Sequence, residues 1–124
     1  MSILEFIIFT IQILYFCSFN SENLDCEPST SIPILIIHGT LDPLFPWNGG
    51  VYSSVTKTLD TWLTNNQCNF DTKTEQDIAI GIHETKWEND CFVRLVKIYG
   101  GFHAWPPQRM NPEEYIWNFF KESN

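Results

Sequence analysis

No feature constrains this chain more than the unbroken apolar run Ile34, Leu35, Ile36, Ile37, entered from Pro33 and closed by His38 and Gly39. A short apolar, β-branched run with turn signals on both sides reads as a strand buried on both faces, as in a parallel sheet. Such a strand needs helices covering its two faces and other strands along its edges.

The residues that follow supply part of that cover. Gly39 to Gly50 (GTLDPLFPWNGG) holds three glycines and two prolines and is expected to be an ordered but irregular loop. Val51, Val55, Leu59, Trp62 and Leu63 recur with the spacing of one helix face, which predicts a helix running to about Asn66. Phe70 to Trp87 is polar with weak alternation. Phe92 to Tyr99 (FVRLVKIY) predicts a second apolar strand, with Glu88, Asn89 and Asp90 placed to close a hairpin before it. Asn111 stands where a cap belongs, ahead of a helix that starts at Pro112 and has Glu114 third. Tyr115, Ile116, Phe119 and Phe120 form its expected buried stripe, and Trp62 and Trp117 are expected in the core. Glu113 and Glu114 suit the positive end of the helix dipole.

Strands alternating with helices predict an α/β layer structure with a parallel sheet, and 124 residues make one domain. Two or three strands are few for such a sheet. Further strands are therefore expected beside it, and the edge at Pro33 to His38 is expected to pair with another chain or with itself.

Composition removes several function classes. With 44% hydrophobic residues and 15% aromatic ones, the chain is too apolar to remain disordered. The net charge is −8, and the seven bases, Lys57, Lys73, Lys86, Arg94, Lys97, Arg109 and Lys121, are scattered. No basic patch exists to neutralise phosphates, which excludes nucleic acid as a partner and disfavours an anionic membrane surface.

Residues 1–19 form a hydrophobic leader whose core, Ile3 to Phe19, is apolar except at Glu5, Thr10, Gln12 and Ser18. It is shorter than the roughly 20 residues of a spanning helix. The first base of the chain is Lys57, so none precedes the apolar run, and Ser18 and Ser21 follow it without an A-x-A pattern. Three readings stand: a signal peptide or anchor, a buried element of the domain, or sequence that replaced the true upstream chain. Residues 20–32 are a polar linker, and residues 33–124 carry the domain. The four cysteines, Cys17, Cys26, Cys68 and Cys91, allow three fully paired connectivities and contain no C-x-x-C. They do not make a zinc site, and their scatter fits an oxidising compartment.

In open α/β sheets the working residues sit in loops just past the C-terminal ends of the strands. Asp42 follows the first apolar strand and His103, in GGFHAWP, follows the second. On adjacent parallel strands the two converge, the acid orienting the imidazole and stabilising its protonated form. Acid before histidine is also the order of the last two members of an α/β-hydrolase triad. Each has a plainer role too: a loop aspartate bonds its own backbone, and His103 by itself is a loop histidine. His38 reads as structural and His83 as an exposed strand residue. Three histidines this dispersed do not hold a metal, and nothing calls for a cofactor. Trp47 and Trp105 either pack or wall a substrate site.

Four pieces in order, PILIIHGTLDPLFPWNGG, TWLTNNQC, GGFHAWP and YIWNFF, resemble the C-terminal part of secreted α/β-hydrolase esterases of the polyhydroxybutyrate depolymerase and feruloyl esterase group. The likeness spans Cys26 to Phe120. It implies an α/β-hydrolase fold represented by its last parallel strands and helices. It implies Ser–His–Asp hydrolysis of aromatic-acid esters or hydroxyacid polymers, with Asp42 as triad acid and His103 as general base. It places Trp47 and Trp105 beside the site and a disulfide between Cys68 and Cys91, which would stabilise the fold by about 3 kcal/mol. It also implies secretion.

Two departures stand out. Phe102 occupies a position where that group commonly has a third glycine. The G-x-S-x-G nucleophile turn is absent, and Ser53 and Ser54 fall in the predicted helix after the acid loop. No oxyanion-hole donors can be named either. The expectation is a fragment with two of three triad members, inactive alone. The alternatives are one half of a split esterase whose other half docks at the open edge, or a non-catalytic secreted protein binding phenolic or polyester ligands.

Overall fold

A computed structural model describes residues 30–89 and 91–123. The leader, most of the linker, Cys17, Cys26, Ser18, Ser21 and Asp90 lie outside the described residues. The described chain folds as an α/β structure: a four-stranded mixed sheet in the order β1-β4-β3-β2, with one helix on each face.

Strand β1 (Ile34–Gly39) runs parallel to β4 (Val93–Ile98), from Ile34 opposite Val93 to Gly39 opposite Ile98. Its alternate side chains divide between the two faces, as strand geometry requires. Ile34 and Ile36 join Val93 and Leu95 under helix α1 (Val55–Asn65), where Leu59, Trp62 and Leu63 complete the larger core. Leu35 and Ile37 face the other way, toward Val96 and Ile98 and toward Tyr115 of helix α2 (Pro112–Glu122).

Helix α1 begins later than its apolar spacing predicts. Ser54 caps it, its Oγ accepting from Lys57 N at 3.1 Å, so Ser53 and Ser54 precede the helix and Val51 is left 82% exposed. A side-chain oxygen that satisfies an orphan amide sets a helix start more firmly than one more apolar residue can. At the other end Asn66 is buried and grips the entry to β1, donating to Ile32 O at 2.6 Å. Cys68 then bridges to Cys91, just ahead of β4, with Cα atoms 5.4 Å apart, and so closes the α1 side of the sheet.

The polar stretch after α1 holds two strands. Strand β2 (Thr74–Ala79) and strand β3 (Ile82–Trp87) form an antiparallel hairpin, and β3 pairs antiparallel with β4. The sheet is parallel only at β1–β4. His83 sits on β3 opposite Asp77, its Nδ1 2.8 Å from Asp77 Oδ1, and is half-buried rather than exposed.

Helix α2 starts at Pro112 as expected, with Asn111 at its cap position. Asn111 adopts a left-handed conformation (φ 50°) and makes no side-chain cap bond; its amide donates to Glu114 instead. Ile116 and Phe119 are buried and Tyr115 and Phe120 half-buried, but Trp117 is 50% exposed and not in the core. It lies one residue past Ile116, a rotation that turns it off the sheet-facing stripe.

Below α2 lies a buried charged network. Glu84 on β3 accepts from Gln76 Nε2 at 2.6 Å and from Tyr115 Oη, and lies 3.9 Å from Arg94 on β4. Arg94 in turn donates to Glu88 and, at 2.8 Å, to Glu122. Burial opposes the Arg94 charge, but the bonds to Glu122 and Glu88 raise its pKa further, so it stays a cation. Burial beside the Glu84 carboxylate raises the Tyr115 phenol, which stays protonated and donates.

Candidate functional site

Because β1 and β4 are parallel neighbours, the loops leaving their C-terminal ends emerge side by side. Contacts between the loops fix their spacing. Leu41 N donates to Gly101 O at 2.9 Å, and Gly100 N donates to Thr40 Oγ1 at 2.8 Å. The two chains approach so closely that a Cβ on Gly39 would fall 2.2 Å from Gly101 O. Only glycine fits at that crossing.

The consequence is the pairing of two residues 61 apart in sequence. His103 Nδ1 lies 2.8 Å from Asp42 Oδ2. The other carboxylate oxygen, Oδ1, accepts from Leu44 N and Phe45 N, each at 2.9 Å. Asp42 therefore does both things open to it: one oxygen forms the turn that loop aspartates favour, and the second holds the imidazole. Its side chain is 4% exposed and that of His103 is 44% exposed. Burial alone would raise the Asp42 pKa, but the Phe45 amide, His103 and the Leu44 amide outweigh it. The net shift is downward, and Asp42 is an anion at neutral pH.

An Nδ1–H donated to a carboxylate leaves Nε2 of the neutral ring with its lone pair, the form a general base requires. Phe45 also packs its ring against His103, with centroids 5.5 Å apart and a tilt of 40°. His103 and Asp42 border a cavity of about 480 Å³ whose walls include Leu35, Ile37, Phe45, Trp105 and Phe120. Phe102 borders the cavity while 66% exposed, and its bulk leaves the Asp42–His103 contact intact.

The two tryptophans part company. Trp105 lines the cavity. Trp47 does not: it packs on the α1-side core and takes the Lys97 ammonium over its ring at 4.8 Å, a cation–π contact. Of the two roles open to Trp47, packing is the one these contacts describe, and its ring also meets that of His38, with centroids 6.0 Å apart. Phe45 was not singled out by sequence, although its place three residues after Asp42 suits the amide that an aspartate turn binds. His38 lies closer to the site than a plain structural residue, with Nε2 3.7 Å from Asp42 Oδ2.

No Ser, Thr or Cys lines the cavity among the described residues. Ser54 is engaged at the helix cap. Among the described residues no group of three or more His, Cys, Asp or Glu side chains is placed to hold a metal. No helix among them is long and apolar enough to cross a membrane. No family model, curated protein or solved structure matches this chain.

Proposed function

We propose that Asp42 and His103 are the acid and the general base of a serine carboxylic-ester hydrolase of α/β-hydrolase type, whose serine nucleophile this sequence does not itself supply. The observation that carries this reading is the 2.8 Å Asp42–His103 contact at the ends of neighbouring parallel strands, beside an apolar cavity. The likeness of the GTLDPLFPWNGG and GGFHAWP loops to esterase loops supports it. The Cys68–Cys91 disulfide is in keeping with a secreted protein.

In this reading the serine hydroxyl attacks the ester carbonyl while His103 Nε2 takes its proton. Asp42 stabilises the imidazolium, and His103 returns the proton to the leaving alcohol. The apolar walls suit an aromatic acyl group or a hydroxyacid polymer segment over a charged one.

The purified chain is expected to hydrolyse p-nitrophenyl and feruloyl esters no faster than its His103→Ala variant. Adding a polypeptide that bears a strand, G-x-S-x-G and helix segment is expected to raise hydrolysis in a manner that needs both His103 and Asp42. Turnover by the chain alone, well above the variant and abolished by a serine-directed inhibitor, would overturn the external nucleophile. No His103-dependent gain on addition would count against the acid–base assignment.

A second reading rests on the aromatic lining contributed by Phe45, Phe102, Trp105 and Phe120. It is a non-catalytic pocket for phenolic ligands, and saturable ferulate binding without hydrolysis under any addition would favour it.

A further inference from the structure

His38 ends β1 and is 8% exposed. Its Nε2 lies 2.8 Å from the Phe45 carbonyl oxygen, which makes Nε2–H the donor in the neutral ring. Phe45 touches both members of the pair. Its amide donates to Asp42 Oδ1 at 2.9 Å, and its ring packs on the His103 ring. The same His38 nitrogen stands 3.7 Å from Asp42 Oδ2, the oxygen that holds His103. One buried imidazole thus anchors the residue that fixes the carboxylate on one side and the catalytic ring on the other.

We propose that His38 is a positioning residue for the Asp42–His103 pair, acting through the main chain of Phe45. This rests on the reading of Asp42 and His103 as a working acid–base pair. Spacing alone does not require such an arrangement: an aspartate turn closes with its own amides and needs no outside anchor. Here the turn is tied to the strand it leaves, so Phe45, whose amide holds Asp42 Oδ1, cannot move away without breaking the bond from its carbonyl to His38. The nearest other charge in register is Lys97 opposite His38, and its ammonium rests over the Trp47 and Tyr99 rings, each at 4.8 Å, with the Trp47 ring in turn against His38. His38 therefore works as a hydrogen-bond donor to a carbonyl, with Asp42 the charged group it faces.

The test is the low-field proton NMR signal of His103 Nδ1–H in the full chain and the rate at which that proton exchanges with water. The Asp42→Asn variant replaces the charged acceptor and is expected to speed exchange. His38→Leu removes the anchor at similar volume and is expected to speed exchange about tenfold, the effect of losing one hydrogen bond. His38→Gln offers an amide donor to the same carbonyl and is expected to stay within about twofold of the parent. If Asp42→Asn changes nothing, the acid–base pair itself is refuted. If Asp42→Asn speeds exchange but a folded His38→Leu does not, the pair stands and the role of His38 falls. Should His38→Leu fail to fold, His38→Gln decides alone: exchange as fast as in Asp42→Asn overturns the proposal, and near-parent exchange supports it.

Discussion

The two margins of the sheet are built to opposite rules. At one margin β2 carries Thr74, Glu75, Gln76 and Asp77 exposed, and its register slips between Asp77 and Ala79. Polar contacts lie along it, the ion pair of Lys73 with Glu75 at 3.2 Å and the hydrogen bond of His83 with Asp77 at 2.8 Å. Charge and irregularity are how natural sheets keep an edge from pairing further. At the other margin β1 has four apolar residues in succession and no such device. Ile34 N and Thr40 N bond toward β4, so by alternation the backbone groups of Leu35 and Ile37 point to the free side. Among the described residues nothing pairs with them. One strand is written as an edge, the other as an interior strand. The candidate site and its cavity lie at the second margin.

The largest expected effect falls on the β2 side, where the β3–β4 region is held to α2 by buried charge. Arg94→Met removes the buried cation that Glu84, Glu88 and Glu122 share, leaves Glu84 with Lys86 at 3.5 Å as its remaining counter-charge, and is expected to cost about 3 kcal/mol of stability in urea unfolding. A loss under about 1 kcal/mol would mean that the network is solvated and that the two margins differ less than their sequences do.

Next in size is the crossing of the two site loops. Gly39→Ala forces Gly101 away and is expected to cost about 1–3 kcal/mol, with loss of the His103 Nδ1 proton signal as the loops separate. Retention of that signal at full stability would show that the close approach does not set the Asp42–His103 distance.

The smallest change in folding stability, and the sharpest contrast, comes from one substitution placed at each margin. Sedimentation velocity is expected to show the chain associating as concentration rises. Ile37→Pro removes an N–H that faces the free edge, so association should fall while stability changes by only about 1 kcal/mol. Asp77→Lys at the β2 margin should leave association as it was. A parent chain that is monomeric at every concentration would break the comparison outright.

Much of this is legible in the sequence because burial repeats with the period of the local element. The apolar run of β1, the face of α1, the proline start of α2 and the Asp42 turn each announce themselves within a dozen residues. The hairpin of β2 and β3 does not. β2 lies exposed at a margin, so its residues carry no apolar period, and weak alternation is all that such a strand can show. Trp117 misleads for a related reason, and Trp47 stays open between two roles in the sequence: an aromatic side chain is equally at home in a core, over a lysine or half in water, and only its neighbours decide.

Sequence by itself determined the strands β1 and β4 and the two helices, which residues can carry acid–base chemistry, and that the bases are scattered. Only tertiary structure decided that β1 and β4 are neighbours, and everything at the site depends on that. The pairing brings Asp42 to His103 across 61 residues, aligns Gly39 with Gly101, and sets His38 against Phe45. Such contacts are non-local. They are selected by how whole faces pack and which backbone edges remain to be paired, a competition among segments that no single stretch of sequence encodes.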